Sequence, residues 1–328
     1  MAMPAAAATT AAAIPPPVNA HRRCRRRPRA VVGWRLTPPT VRGPGRTRRS
    51  SAPPRGCSDA GYARGPPARP PAANLPAVTI SLEKRTEDAQ ASIISLLKKE
   101  QAKGIDLGEL VAQVEIAIDF SGSMRPRFKA QADGGPSEVQ TVVERALALS
   151  LAGLDDDGVV PVHFFHAEAF EPVLVSADNH EGFVDDWAKG RKMGATNYGP
   201  PMQAILGGGA KKKGLFGRRG PDLEAEKDAP PKLVLFVTDG APADRSLTTK
   251  LVLEAASRPV FWQFIGLGYK PDFMAKLDTM GNRVIDNVGL VEYSDTLAMT
   301  DTEFFDAIIG EFFTQWLPEA RRLAITRQ

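Results

Sequence analysis

Short runs of apolar residues recur along the chain after residue 77. Such runs, nearly continuous in apolar residues, predict strands buried on both faces of a sheet. These strands are predicted at Val114–Asp119, Val159–Phe165, Leu233–Thr238 and Val260–Ile265. A short edge strand is predicted at Glu171–Val175 and a further strand at Arg283–Val288. Alternation over Val78–Leu82 predicts a short strand at the start of the ordered sequence.

Between these runs, apolar residues recur at helical spacing. Helices are predicted at residues 88–101, over about 15 residues spanning 139–152, at 182–189, in a short helix ending near 206, at 247–257, at 272–280 and from 302 to 317 or beyond. Strands that alternate with helices predict an α/β fold, a Rossmann-like, doubly wound and mostly parallel sheet flanked by helices. Right-handed crossovers place every loop that follows a strand at one edge of such a sheet.

Residues 1–77 break this pattern. They hold 15 of the 28 prolines, among Ala, Gly and Arg, and we expect a disordered segment that cannot offset its ordering entropy. Residues 1–75 contain fourteen Arg, no Lys and one acid, Asp59, a formal charge of +13; since the whole chain carries +4, the remainder carries −9. Three interpretations stay open: a basic arm for nucleic acid or acidic lipid, an organellar transit peptide, or upstream sequence translated from a misplaced start codon.

A second polar stretch interrupts the presumed domain, 78–328. Residues 207–231 contain three consecutive glycines, two basic clusters and several acids, and we expect a mobile surface loop. The glycines and lysines at 207–213 lack the spacing of a phosphate-binding loop, which argues against nucleotide binding there.

Both cysteines, Cys24 and Cys57, precede the domain, so it has no thiols for a disulfide or a thiolate metal site. This composition fits a reducing compartment. No apolar run reaches the roughly 18–20 residues of a membrane helix, so no membrane association is predicted.

The strongest chemical signal is Asp-x-Ser-Gly-Ser at the end of the first buried strand. Asp119, Ser121 and Ser123 present a carboxylate and two hydroxyls from one short loop, and such hard oxygens suit Mg²⁺. Thr196, in a later loop, and Asp239, after the strand ending at Thr238, complete a predicted set of five ligands. Singly, each motif is also an ordinary turn or helix cap.

The order Asp-x-Ser-x-Ser, Thr, Asp-Gly resembles the metal-ion-dependent adhesion site of von Willebrand factor A (vWA) domains. The resemblance implies the vWA fold and a bound Mg²⁺, with Mn²⁺ or Ca²⁺ as alternatives. It further implies that the hydroxyls contact the ion, that one or both acids act through water or hydrogen bonds, and that a protein partner supplies an acidic side chain to an open position.

Further segments resemble the A domains of TerF-type tellurium-resistance proteins. They are Ile80–Lys84, Gly194–Pro200, Phe236–Gly240, Leu277-Asp278 with Arg283–Asn287, and the stretch from Phe305 to Leu317. This resemblance covers roughly residues 78–325 and implies a bacterial, cytoplasmic protein of tellurite or general stress response that has partners rather than small-molecule substrates. The departures are Ala195, where the family often has Gly, and the insertion at 207–231.

Two other functions have weaker support in the sequence. A Mg²⁺-dependent hydrolase or phosphoryl-transfer enzyme needs a nucleophile or base near the ion, but Ser121 stands where the haloacid-dehalogenase pattern has a second Asp, and it lacks a Gly-x-Ser-x-Gly elbow. A nucleic-acid adaptor rests wholly on the basic segment. His163 and His166, three apart on a strand, are expected to point to opposite faces and to serve in packing.

Overall fold

One mixed sheet forms the centre of the protein. The computed structural model describes residues 80–155, 157–207, 223–268, 272–293 and 297–327. In these residues the strands are β1 (Gln113–Asp119), β2 (Val160–Phe165), β3 (Val173–Val175), β4 (Lys232–Thr238), β5 (Val260–Leu267) and β6 (Val288–Tyr293). Their order is β3-β2-β1-β4-β5-β6, and all neighbours are parallel except the edge pair β2 and β3.

Helices follow most of the strands and cover both faces. They are α1 (Leu82–Ala102), α2 (Glu138–Leu149), α3 (Phe183–Ala188), α4 (Gly199–Ile205), α5 (Leu223–Glu226), α6 (Arg245–Ala255), α7 (Asp272–Asp278), α8 (Asp301–Glu311) and α9 (Leu317–Arg322). A 3₁₀ turn at Arg125–Phe128 follows the first loop, and π-helical turns at Ser150–Leu154 and Phe312–Trp316 extend α2 and join α8 to α9.

Alternating residues of the strands supply two separate cores. On β4, Leu235 and Val237 face a core that includes α1, α2 and α8, whereas Val234 and Phe236 face a core that includes α4, α6 and α7. Burial on both faces explains why the central strands are nearly continuous in apolar residues. The predicted doubly wound α/β fold and the predicted edge strand are thereby confirmed.

The register of β1 and β4 determines where the polar strand ends meet. Ile118 lies beside Val237, so Asp119 and Thr238 end neighbouring parallel strands at the same edge. The loops after β1 and β4 therefore leave the sheet side by side, although they are about 120 residues apart in sequence.

The predicted strand at Val78–Leu82 is wrong for the part that the structure describes. Helix α1 begins at Leu82, six residues before the predicted start, and Ser81 caps it by accepting a hydrogen bond from the Lys84 N–H at 3.3 Å. The acid Glu83 also lies in the first turn, where its negative charge interacts favourably with the positive end of the helix dipole. Capping chemistry prevails here over a five-residue alternation.

The predicted strand at Arg283–Val288 is also wrong, since β6 begins only at Val288. Arg283 instead closes the loop after α7, donating hydrogen bonds to the carbonyls of Met280 at 2.9 Å and Asp278 at 2.6 Å. Asn282 adds a positive φ of 65°, which breaks an extended path. Of the apolar residues of this segment, Val284 is exposed, and Ile285 is buried in the core that includes α8.

The other predicted elements are present with shifted ends. The disorder predicted for residues 1–77 lies outside the described residues, as does most of the loop predicted at 207–231. Within the described part of the chain, no helix combines the length and the apolar character needed to cross a membrane.

Candidate functional site

The loop after β1 carries three of the five predicted ligands. Asp119 is fully buried, and its Oδ1 accepts the Ser121 N–H at 2.9 Å, which turns the backbone sharply after the strand. The Ser121 and Ser123 hydroxyls lie 3.1 Å apart. Ser121 is buried and Ser123 is exposed, so the loop rises from the sheet edge to the surface.

The loop that carries Thr196 is joined to the first loop by backbone hydrogen bonds. The Gly122 N–H donates to the Gly194 carbonyl at 3.1 Å, and the Gly194 N–H donates to the Phe120 carbonyl at 3.2 Å. This pairing brings the Thr196 hydroxyl to 3.4 Å from Asp119 Oδ2. Thr196 therefore reaches the cluster through a short parallel bridge between two loops.

The loop after β4 brings the fifth residue. The Ser123 hydroxyl donates to Asp239 Oδ1 at 2.7 Å, and the hydroxyl of the preceding Thr238 donates to Asp119 Oδ2 at 2.8 Å. The structure thus brings all five predicted residues together, from three loops, in one connected set of polar contacts.

Sequence reasoning missed the residues that hold these loops in place. The buried Tyr198 hydroxyl donates to the Gly240 carbonyl, next to Asp239. Asp244 accepts the N–H groups of Tyr198 at 3.0 Å and Gly199 at 2.8 Å, at the start of α4. An Asp just before a predicted helix is a capping signal, but it points to its own helix, α6, and not across to α4.

Burial dominates the electrostatics of the cluster. Burial, helped by the negative charge of Asp239, raises the pKa of the Asp119 carboxyl to about 6, although hydrogen bonds from Thr238 and Ser121 act in the opposite direction. Burial also raises the pKa of the Tyr198 phenol, which therefore remains a hydrogen-bond donor. Two nearby carboxylates, one of them desolvated, give the cluster a deficit of positive charge that a cation would correct.

The donor set fits a hard divalent cation. Two carboxylates match the charge of Mg²⁺, and three hydroxyls add neutral oxygens, with water left to complete about six ligands. No group of three or more His, Cys, Asp or Glu side chains suited to a metal occurs among the described residues, so any metal held by this cluster would rely on hydroxyls. The assignment of the five residues as ligands stays a prediction.

The two histidines of the β2 region have separate contacts, as their spacing predicts. His163 Nε2 lies 2.9 Å from Glu115 Oε2 within the sheet, and Lys232 forms an ion pair with the same carboxylate. Burial acts to raise the pKa of Glu115, but the hydrogen bond from His163 and the charge of Lys232 hold it below its ordinary value. His166 packs against Phe170, and its Nδ1 accepts the Glu168 N–H at 3.1 Å.

A doubly wound sheet with an antiparallel edge strand, and an Asp-x-Ser-x-Ser loop facing a Thr loop and an Asp loop, define a vWA-type domain. The model of the vWA-TerF-like family, the vWA found in the TerF C terminus, matches residues 111–326. This chain belongs to that family, whose vWA-type domains commonly mediate protein interactions.

A similar protein is the uncharacterized YcbR of Bacillus subtilis strain 168, 32% identical over 256 residues that cover 76% of this chain and 91% of that protein. Among solved structures, proximal thread matrix protein 1 of the mussel byssus is 14% identical with a TM-score of 0.40, over 61% of this chain and 47% of that one. This chain thus spans about half the length of the mussel protein. The VWA domain of SpRpn10 is 13% identical with a TM-score of 0.39, over 62% of this chain and 95% of that domain.

Proposed function

We propose that this domain is a non-catalytic interaction module that binds Mg²⁺ at the five-residue cluster and through it an acidic side chain of a protein partner. The observation that carries the proposal is the convergence of three hydroxyls and two carboxylates from three loops at one edge of the sheet. Nothing in this arrangement requires a unique ion, so Mn²⁺ or Ca²⁺ could replace Mg²⁺.

The hydroxyl and carboxylate residues of the cluster have different proposed roles. Ser121, Ser123 and Thr196 would supply neutral oxygens to the ion, while Asp119 and Asp239 balance its charge and orient the hydroxyls. When bound, the ion would supply positive charge and an exchangeable position for a carboxylate. Ser123 is exposed and Asp239 is half-buried, which places the side of the cluster that a partner could reach at the surface.

The family relationship supports the wider setting of the proposal. We place the domain in tellurite or general stress response in the cytoplasm, because its family model is named for the TerF C terminus. The domain sequence contains no cysteine with which to capture tellurium directly. The proposed role is therefore recognition of a partner and not chemistry on the element.

The hydrolase alternative gains no support from the cluster. Ser121 is hydrogen-bonded to Ser123 and has the Asp119 carboxylate in its own turn, which is not the arrangement of an activated nucleophile and its base. The His166 Nδ1 is occupied by the Glu168 N–H. A phosphatase assay with p-nitrophenyl phosphate and Mg²⁺ should accordingly give no turnover above the rate of a Ser123→Ala variant.

The decisive experiment is isothermal titration of Mg²⁺ into the full chain, with Thr196→Ala and Ser123→Ala beside the wild type. Both variants remove one hydroxyl at a partly or fully exposed position, so the fold should persist. We expect saturable binding that each variant weakens about tenfold or more, by analogy with the loss of one ligand or its support.

Thr249→Ala is the matched control, because it removes a hydroxyl that donates a hydrogen bond only to the Arg245 carbonyl of the same helix. It should bind Mg²⁺ like the wild type. Equal affinity in all four proteins, or no binding by a wild-type protein whose circular dichroism shows the fold, would contradict the proposed function.

A further inference from the structure

We propose that a basic pocket beside the cluster binds a second acidic side chain of the same partner, so that the recognised segment carries at least two acids. The pocket, of about 450 Å³, is lined by Phe120, Arg125, Ala188, Arg191, Lys192 and Met193. This inference rests on the proposed function, in which a first acid of the partner meets the cation.

The basic pocket adjoins the cluster along both of its loops. Phe120 directly precedes Ser121, and its carbonyl accepts the Gly194 N–H in the bridge that holds the Thr196 loop. Lys192 lies four residues before Thr196, which limits the separation of their Cα atoms to about 14 Å. Two acids a few residues apart on an extended segment can therefore reach the cluster and the pocket together.

Arg191 is held in place by the aromatic core beneath it. Its guanidinium donates to the Trp187 carbonyl at 2.9 Å and lies 4.7 Å from the centre of the indole ring. Trp187 stacks on Phe164 and meets Phe120 edge-on, with ring centres 5.0 Å apart. A guanidinium on this rigid support loses little freedom on binding a carboxylate, which favours binding.

The other two cations are available. Arg125 and Lys192 are exposed, and neither side chain forms a hydrogen bond or an ion pair with any residue that the structure describes. Nearby Arg127, in contrast, is paired with Glu138 at 2.7 Å. The pocket therefore presents three positive charges without a carboxylate of its own to neutralise them.

The positive charge of the pocket contrasts with the net negative charge of the domain. The chain beyond residue 75 has a formal charge of −9, yet no acid occurs between Asp119 and Asp133 or between Asp186 and Asp222. Lys129 and Lys189 in the same two stretches add to the positive field. Such a field steers and retains acidic partners.

An acidic protein segment fits this surface better than nucleic acid does. The floor of the pocket is apolar, through Phe120, Ala188 and Met193, and suits the methylenes of a glutamate. The adjoining cluster presents Asp119 and Asp239, which repel phosphates unless a cation intervenes. With the cation bound, two carboxylates spaced along a peptide would meet the cation and the basic pocket, and their methylenes would cover the apolar floor between the charges.

The test uses a fluorescein-labelled oligoglutamate peptide and the full-length protein, in Mg²⁺ and in EDTA. The pocket variant is R125Q/R191Q/K192Q, and the matched control is K98Q/K99Q/K250Q, which removes three exposed cations from α1 and α6. Residues 1–75 attract the probe in every protein, so the quantity compared is the binding that depends on Mg²⁺.

We expect the pocket variant to lose about tenfold in Mg²⁺-dependent affinity for oligoglutamate, and the control variant less than about twofold. Titration of Mg²⁺ alone should give equal or tighter binding to the pocket variant, since three charges that repel the ion are gone. Weaker binding of oligoglutamate without weaker binding of Mg²⁺ separates this role from simple loss of structure, which weakens both.

Equal affinities of the pocket variant and the wild type, or equal losses in both triple variants, would overturn the inference. So would single-stranded DNA of matched charge that binds the wild type as tightly as oligoglutamate in Mg²⁺. Oligoglutamate binding that is equally tight in Mg²⁺ and in EDTA, yet still requires the three cations, would contradict the proposed function and support the acid-binding pocket.

Discussion

Asp119 is the residue at which three loops meet. Its Oδ1 fixes the turn of its own loop through Ser121, and its Oδ2 lies within reach of Thr196 and Thr238 from the other two loops. The carboxylate is fully buried, so these contacts are shielded from water and their geometry matters. Displacing any one loop should therefore alter the whole cluster.

Gly194 offers a test of this coupling that leaves all five predicted ligands intact. A Cβ on Gly194 would lie 2.9 Å from the His166 ring, so Gly194→Ala must shift the bridge that carries Thr196. We expect a loss of about 1–3 kcal/mol in the free energy of unfolding, together with weaker Mg²⁺ binding.

The His166 ring is the other side of this clash, so removing the ring provides the control. In a His166→Ala background the added methyl group has space, so Gly194→Ala should cost much less there. Urea unfolding of the four proteins in this double-mutant cycle measures the coupling, which we expect to exceed about 0.5 kcal/mol. Strictly additive losses would show that the ring is not what excludes a side chain.

Sequence alone predicts the polar residues of the cluster but not those that support them. Asp119, Ser121 and Ser123 form a motif with fixed spacing, and the oxygen atoms of that motif indicate a hard cation by their chemistry alone. Tyr198 acts through a hydroxyl aimed at a carbonyl 42 residues away, which no local pattern encodes. Such contacts follow from the packing of the loops and not from the spacing of residues.

The carboxylate of Asp244, the residue just before α6, connects the start of α6 to the start of α4. Both of its oxygens accept N–H groups at the start of α4, and α4 directly follows the Thr196 loop. Asp244→Ala should lower the free energy of unfolding by about 1–2 kcal/mol and also weaken Mg²⁺ binding, because the Thr196 loop loses its anchor.

The control for Asp244→Ala is Thr300→Ala, which removes the capping box of α8. It should cost a similar amount of stability and leave Mg²⁺ affinity unchanged. Chemical unfolding and isothermal titration distinguish the two variants. If Asp244→Ala lowers stability but binds Mg²⁺ like the wild type, the anchoring role of Asp244 is wrong.

Glu311, at the end of α8, predicts a dependence of stability on pH. Burial, with the charges of Asp278 and Asp286, raises its pKa from an ordinary 4.5 to about 7. The folded protein therefore keeps a proton that the unfolded chain releases between pH 4.5 and 7, and Glu311 lowers stability as pH rises through that window.

Glu311→Gln should thus raise the free energy of unfolding at pH 8 by about 1 kcal/mol, after allowance for the half-exposed position, and the melting temperature by a few degrees. At pH 4 it should leave the melting temperature unchanged. Glu319→Gln is the control: Glu319 belongs to the same surface, but a hydrogen bond from Arg322 lowers its pKa. Thermal melts across pH compare the two. A gain at pH 4 equal to that at pH 8 would contradict the assignment.

At the scale of elements, sequence patterns predict the sheet because both cores draw on alternate residues of the same strands. The pattern fails where side chains satisfy the backbone locally. Ser81 converts the predicted strand at Val78–Leu82 into the start of a helix, and Arg283 ties the segment predicted as a strand into a loop. Both residues hydrogen-bond the main chain, which apolar periodicity cannot register.

Across the whole molecule, cation binding and stability should be linked. A ligand that binds only the folded state stabilises it by about 2.7 kcal/mol at a concentration a hundredfold above its dissociation constant. Saturating Mg²⁺ should therefore raise the melting temperature of the wild type by roughly 5–10 °C relative to EDTA.

Ser123→Ala should show about half of this shift or less, because a tenfold or greater loss of affinity leaves about 1.4 kcal/mol or less of stabilisation at the same Mg²⁺ concentration. The exposed position of Ser123 leaves the fold itself intact. Differential scanning calorimetry with and without Mg²⁺ measures both proteins. An equal rise in the two would mean that the ion stabilises the protein from another place.

The overall charge of the sequence conceals how charge is arranged on the domain. Composition predicts a mildly acidic domain behind a basic segment, and the motif predicts an acidic cluster. Only the folded structure brings Arg125 beside Arg191 and Lys192, from stretches more than 60 residues apart, next to that cluster. The contrast between the basic pocket and the acidic side chains of the cluster depends on topology and is not visible in composition.

The central claim is that Asp119, Ser121, Ser123, Thr196 and Asp239 hold one divalent cation. Crystals grown with Mn²⁺, measured for anomalous scattering, test it most directly. We predict one anomalous peak about 2.0–2.3 Å from the Ser121, Ser123 and Thr196 hydroxyl oxygens, with the Ser123–Asp239 contact rearranged around it. Mn²⁺ bound elsewhere, with the five side chains still bonded only to one another, would contradict the account.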